Sequence, residues 1–277
     1  MGETKGKMKP LFFKEALLSS LILLIVSCGK QNEGCTDPAA RNFDVSADKD
    51  CCCEYPQFQL QYLFKKGVNL LKSGQTGDTL TDAGGHLFTV VSAKFLFSDF
   101  IFLSDAQSYL FDKRLWVFPK GKADSLLTVD DYITPSFGIE TFNTFTYKIP
   151  PVLTGMRFKI GVSDSALIFD PYRIRNVNHP LYPIKDGFFD TANNTYNAGM
   201  IEIYFPTDSI FRKFPIPIPA TRDISYSFDK LKLKEGFNTL LALNFKIDKL
   251  FDQIDWIKMD STSIVSQLSV NLNKALE

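Results

Sequence analysis

Phe58-Gln59-Leu60-Gln61-Tyr62-Leu63-Phe64 sets aromatic or aliphatic side chains at positions 58, 60, 62 and 64, with glutamines at 59 and 61. Successive side chains of a strand point to opposite faces, so this period of two predicts a strand with one face buried. The same beat returns in Met156-Arg157-Phe158-Lys159-Ile160-Gly161-Val162, in Ile224, Tyr226 and Phe228, and in Leu241, Leu243, Phe245 and Ile247. Lys94 to Leu103 is nearly continuous in aromatic and aliphatic residues, as in a central strand covered on both faces. Gly84-Gly85, Pro150-Pro151 and Lys234-Glu235-Gly236 supply turns between the strands. Phe214-Pro215-Ile216-Pro217-Ile218-Pro219 lacks the amide hydrogens of a regular ladder and predicts an extended edge or a loop. Helix signals are few: a short one within Asp248 to Trp256, and Asp260-Ser261-Thr262 capping a C-terminal helix with Ile264, Leu268 and Leu272 along one face. Together they predict a mainly β domain over residues 57–277, an antiparallel β-sandwich with one or two minor helices.

The N-terminus has a different character. Lys5, Lys7, Lys9 and Lys14 precede an apolar run from Ala16 to Val26 that stops at Ser27-Cys28. A positive segment, a short apolar core and a small residue at the end define a secretory signal. The core is too short to cross a bilayer, which needs about 20 apolar residues. Ile25-Val26-Ser27-Cys28 resembles the lipobox of bacterial lipoproteins, which implies cleavage after residue 27 and lipidation of Cys28. Gly29 and Lys30 follow with no acidic neighbour, which by resemblance to lipoprotein sorting rules implies the outer membrane, facing the periplasm or the cell surface. Residues 28–34 then form the lipidated cysteine and a linker.

Composition excludes some partners. Without residues 1–27, which hold four of the 31 basic and two of the 31 acidic side chains, 27 basic and 29 acidic remain. A chain so close to neutral lacks the basic footprint of a nucleic-acid binder. Apolar content of 45%, with 26 phenylalanines, supports a packed core rather than a disordered chain.

Residues 35–55 form a cysteine-rich segment. Gly34-Cys35-Thr36-Asp37-Pro38-Ala39-Ala40-Arg41-Asn42-Phe43-Asp44-Val45-Ser46-Ala47, followed by an acidic turn and Cys51-Cys52-Cys53-Glu54-Tyr55, resembles a small extracellular module of bacterial lipoproteins and adhesins. That module usually ends Asp-Gly-Ser-Cys, so Cys51 and Cys52 stand where glycine and serine are common. An oxidising compartment favours disulfides, and four cysteines allow three pairings. The resemblance implies Cys35–Cys53, a loop closure worth about 3 kcal/mol. It leaves Cys51 and Cys52 to form a vicinal disulfide, to remain thiols or to bind a soft metal. Asp37, Asp44, Asp48 and Asp50 are oxygen donors, but their spacing is not that of an EF-hand loop, and Asp37-Pro38 suits a turn.

The main domain also resembles a family. Gly85-x-x-Phe88-x-Val90, Lys94-Phe95-Leu96-Phe97-Ser98-Asp99-Phe100, Gly155-Met156-Arg157-Phe158-Lys159-Ile160-Gly161-Val162, His179-Pro180-Leu181 and Leu243-Asn244-Phe245-Lys246-Ile247-Asp248-Lys249-Leu250-Phe251 resemble, in order, segments of the MbnP-like proteins. These are exported proteins related to a methanobactin-associated copper protein. The resemblance spans about residues 58–256 and implies copper binding without catalysis. Where family members carry two tryptophans after His-Pro-Leu, this chain has Asn194 and Tyr196, so a tryptophan-derived ligand does not carry over. Imidazole and soft sulfur suit copper, which makes His179, Met200 and His86 the candidate metal ligands. Trp116 and Trp256 lie outside that segment and are expected to pack.

Enzyme signatures are missing. No histidine adjoins a nucleophile-like Ser or Cys, and no phosphate loop or zinc-protease spacing occurs. The expected function is a membrane-anchored, MbnP-like lipoprotein that binds copper and is not an enzyme. The rival is a surface module for a protein or glycan, with the metal site lost; Phe188, Phe189 and Tyr196 are candidates for that surface, although a partly buried loop is the expected setting for them.

Overall fold

The computed structural model describes residues 31–217 and 223–276; the predicted signal, Cys28 and Pro219 lie outside them. Among the described residues no helix is long and apolar enough to cross a membrane. The chain divides into two compact units, the first ending at Glu54 and the second beginning at Tyr55.

In the first unit, Glu33–Gly34 pairs in parallel with Lys49–Asp50, and Cys35 is bonded to Cys53. The acidic residues serve the turns. Asp44 Oδ1 accepts from the Ser46 amide at 2.8 Å and hydroxyl at 2.6 Å. Asp50 Oδ1 accepts from the Thr36 amide at 3.0 Å, and Asp37 Oδ1 from the Ala39 amide at 3.0 Å.

The second unit is built of antiparallel sheets. Its principal strands are β1 (Gln57–Lys66), β2 (Thr79–Thr81), β3 (Leu87–Phe95), β4 (Phe97–Ser104), β5 (Arg114–Val117), β6 (Leu126–Val129), β7 (Glu140–Thr146), β8 (Val152–Ile160), β9 (Thr195–Phe205), β10 (Ile210–Pro217), β11 (Asp223–Lys232) and β12 (Thr239–Lys246). One sheet runs β7-β1-β12, a second runs β11-β8-β4, and a third runs β9-β3-β2 with β10 on the outer side of β9. The exception to antiparallel order is β1 with β12, which pair in parallel from Phe58 opposite Thr239 to Lys65 opposite Lys246.

The alternation in Phe58–Phe64 holds: Phe58, Leu60, Tyr62 and Phe64 are all buried. Rings from different sheets meet in the middle. Phe95 of β3 stacks on Phe245 of β12 at 4.7 Å, Tyr62 meets Phe97 at 5.0 Å, and Phe58 sets its edge against Phe102 at 5.3 Å. Phe100 stacks on Phe158 at 5.0 Å. Such pairs add about 0.5–1.5 kcal/mol each beyond their buried area.

The apolar run Lys94–Leu103 is not one central strand. It is the end of β3 and most of β4, in two different sheets, with the crossing at Leu96. The Leu96 amide donates to Ala198 of β9 at 3.0 Å, while its carbonyl accepts from Gly161, just beyond β8, at 2.5 Å. Burial on both sides follows from passing between sheets, and periodicity alone does not separate that from a single buried strand.

Both helices occur: α1 (Ile247–Leu250) and α2 (Ser261–Ala275). Asp260 caps α2, its Oδ1 accepting from the Ser263 amide at 2.8 Å, and Ile264, Leu268 and Leu272 are buried. Of the proline-rich stretch, Phe214 to Pro217 is the end of β10, which among the described residues pairs with β9 alone; Ile218 and Pro219 lie outside the described residues. Trp256 is buried against Phe214 and Phe88 at 4.9 and 5.5 Å. Trp116 does not pack as expected: it is 54% exposed on the two-stranded ribbon β5–β6, whose Val117 and Leu115 face a core instead.

These surroundings set two stabilities apart. Phe97→Ala is expected to cost about 3–5 kcal/mol by urea denaturation, as a buried aromatic leaving a cavity, whereas Trp116→Ala should stay within about 0.5 kcal/mol.

Candidate functional site

The turn from β2 into β3 is short and tightly bonded. The Asp82 amide donates to the His86 carbonyl at 3.0 Å, and the Gly85 amide to the Asp82 carbonyl at 3.1 Å. Gly85 takes φ +86°, a left-handed value that suits glycine. The turn docks on the segment after α1: Ala83 N–H donates to Ile254 O at 2.8 Å, and Trp256 N–H donates to Asp82 Oδ2 at 3.0 Å. Gly84 makes the approach possible, because a Cβ there would lie 2.6 Å from both Asp255 Oδ2 and His86 Cε1.

The result is a cluster of three ligating side chains. His86 Nδ1 lies 3.0 Å from Asp82 Oδ2 and 3.8 Å from Asp255 Oδ1. One ligand atom from each of Asp82, His86 and Asp255 falls within 4.8 Å of the others. Asp82 is buried, Asp255 half-buried, and the His86 side chain is 33% exposed. The Lys258 and Ile257 amides bond Asp255 Oδ1 at 2.9 and 3.1 Å, and the Lys258 amide leads in holding that carboxyl below its usual range. A thioether adjoins the site, with Met259 Sδ accepting from the Asp255 amide at 3.3 Å.

His179 and Met200 stand in other surroundings. His179 is buried, its Nδ1 accepting from the Leu181 amide at 3.1 Å and its Nε2 lying 2.8 Å from Asp130 Oδ1. Because Nδ1 accepts, Nε2 carries the proton and donates, so both ring nitrogens are committed to protein partners. Lys113 Nζ approaches the other Asp130 oxygen at 2.8 Å. Asp130 is held below its ordinary range: burial opposes ionisation, but the bonds from His179 and Lys113 outweigh it. Met200 is half-buried in β9, opposite Lys94 and Pro215. Of the three ligands expected from the sequence, His86 alone joins a cluster of ligating side chains among the described residues. The second such cluster there, Cys35, Asp50 and Cys53, has its two sulfurs bonded to each other.

Asp131, next to Asp130, faces elsewhere. It lines a cavity of about 490 Å³ with Asp99, Tyr132, Lys159, Ser163 and Asp223 among its other walls. Its Oδ2 accepts from the Phe100 amide at 2.8 Å, yet burial pushes the carboxyl up to about 7. Tyr132 Oη and Ser163 Oγ lie 2.7 Å apart, and Ser163 continues to Ser165 at 2.9 Å. Phe188, Phe189 and Tyr196, expected to offer a binding surface in the rival reading, are buried in a core with Leu96, Leu181 and Phe169. Tyr196 donates to the Leu181 carbonyl at 2.5 Å.

No family model matches this chain, and no curated protein matches it. Among solved structures, MbnP from Methylosinus trichosporium is similar, with a TM-score of 0.39 and 10% identity over 72% of this chain and 78% of that one. A likeness of that size bears on neither metal nor partner, so function rests on the side chains.

The two adjacent aspartates should respond oppositely to pH. A carboxyl whose folded pKa lies above its unfolded value stabilises most at low pH, and that contribution is lost as pH rises through the folded value. For Asp131, stability should therefore fall between about pH 4 and pH 7 in urea titrations, and Asp131→Asn should flatten that slope. Asp130, shifted the other way, contributes above the ordinary carboxylate range and loses its share only in stronger acid. His179→Ala, which strips a hydrogen bond from a buried carboxylate, should cost about 1.5–3 kcal/mol.

Proposed function

We propose that this chain is a non-catalytic, lipid-anchored β-sandwich protein that captures a transition-metal ion at Asp82, His86 and Asp255. The observation that carries this reading is the spacing of His86 Nδ1, 3.0 Å and 3.8 Å from oxygens of the two carboxylates. Ligand atoms of a tetrahedral site with bonds of about 2.0–2.1 Å stand about 3.3 Å apart, between those two values. One imidazole nitrogen and two carboxylate oxygens at tetrahedral spacing suit zinc, and the same donors would take Cu(II) in a more planar arrangement. The backbone amides on Asp82 and Asp255 orient the carboxylates, as outer partners do in metal sites. The fit is poorer for Cu(I), which prefers sulfur donors. Anchoring would be through Cys28, with the domain at the outer membrane, in the periplasm or on the cell surface.

Metal content of the full chain, equilibrated with Cu(II) or zinc and desalted, tests the site by mass spectrometry. Near-stoichiometric retention is expected, falling at least tenfold in His86→Ala and unchanged in His179→Ala. Retention should also decline in acid, as protons compete for the imidazole. Equal retention by His86→Ala and the parent, or none by either, would sink this reading.

A second reading, a surface module for a protein or glycan, is favoured by one observation. Trp116, Leu126 and Leu127 are each more than half exposed on the β5–β6 ribbon, and an exposed indole suits partner contact. A chain indifferent to metal would move weight to this ribbon.

A further inference from the structure

The sulfurs of Cys51 and Cys52 stand 2.7 Å apart. That is closer than the roughly 3.5–4.0 Å of ordinary non-bonded contact but longer than the about 2.05 Å of a disulfide. The backbone around the pair is held in place. Cys51 N–H donates to the Gly34 carbonyl at 3.0 Å, Asn42 Nδ2 donates to the Cys52 carbonyl at 2.7 Å, and Cys53 is tied to Cys35. Between these fixed points Cys52 takes φ +58°, a left-handed conformation uncommon outside glycine, asparagine and aspartate. Both flanks of the pair are pinned, and the two side chains are left facing each other.

The spacing discriminates between the chemistries open to two thiols. A tetrahedral dithiolate site with metal–sulfur bonds of about 2.3 Å holds its sulfurs about 3.8 Å apart, well beyond the 2.7 Å between Cys51 and Cys52. Accessibility differs within the pair: Cys52 is exposed and Cys51 only partly so. Cys51 is pushed up to about 11, first by its hydrogen bond with Cys52, and exposure makes Cys52 the sulfur that an incoming disulfide meets first.

We propose that Cys51 and Cys52 form a reversible dithiol–disulfide site that exchanges with low-molecular-weight or protein disulfides, while Cys35–Cys53 is the permanent staple of the module. Cys52 gives up its proton, and its thiolate attacks one sulfur of the incoming disulfide. The incoming bond breaks, and the departing thiolate takes up a proton. Cys51 then loses its proton and attacks the Cys52 sulfur of the mixed disulfide, forming the Cys51–Cys52 bond and releasing the second thiol. Two protein thiols are oxidised by two electrons, and one disulfide is reduced to two thiols. An external dithiol runs the sequence backwards, as expected of an exposed disulfide.

Equilibrating the full chain with graded ratios of oxidised to reduced glutathione, in the presence of a metal chelator, tests this. After acid quenching and maleimide labelling, intact mass and peptide mapping count the thiols and locate the bonds. Among residues 29–277, which leaves Cys28 out of the count, reduced buffer should leave two labelled thiols, at Cys51 and Cys52. Oxidised buffer should leave none there, with the mass of two hydrogens lost and Cys35–Cys53 intact in both. Cys51→Ser should stop at a single glutathione adduct on Cys52. Persistent labelling at every ratio, two stable glutathione adducts on the parent, or re-pairing of Cys51 or Cys52 with Cys35 or Cys53 would each overturn the proposal. The thiol count on the parent decides the matter even if the variant fails to fold.

Discussion

The main domain depends on what happens at Leu96. Its amide is bonded into one sheet and its carbonyl toward another, while Phe95 and Phe97 on either side send rings into the shared core. A residue in that position must be apolar, because Leu96 is itself fully buried. It must also have both backbone groups paired, since a buried peptide group without a partner costs free energy comparable to a lost hydrogen bond. The layers are thus coupled through covalent chain as well as through side-chain contact. Strands β3 and β4 cannot shift register independently without breaking the Ala198 or the Gly161 bond.

Much of this fold is legible in the order of residues. Strict alternation in 58–64 and 156–162 marks half-buried strands because a slip of one residue would turn every apolar side chain outward. The aspartate before Ser261 announces α2 through its chemistry alone. Sheet membership is less legible. Nothing local in Lys94–Leu103 distinguishes one doubly covered strand from two strands in different sheets. The parallel direction of β1 and β12 is set by the path of the intervening chain. Trp116 shows the opposite limit: residue type argues for burial, but the side chain stands more than half exposed on a two-stranded ribbon.

The candidate site divides along the same line. Both histidines of the chain are visible as potential donors, yet their roles come from neighbours. His86 has Asp82 four residues earlier, bonded across a turn that Gly84-Gly85 advertises, whereas Asp255 arrives from far along the chain. His179 is surrounded by acceptor and donor in a closed core, and its partner Asp130 is 49 residues away. The adjacent Asp130 and Asp131 part company just beyond β6: one carboxylate serves a buried imidazole and a lysine, the next opens on a cavity.

The parallel pairing of β1 with β12 has a temporal side. The first principal strand of this unit finds its partner only after about 180 further residues have been made. At ribosomal rates of about 5–20 residues per second, that is a wait on the order of 10–40 s. Phe58, Leu60, Tyr62 and Phe64 spend that interval without the strand that completes their sheet. Contacts of such long range also close slowly. A nascent chain of this design keeps the sheet of its first principal strand incomplete until the last strand emerges.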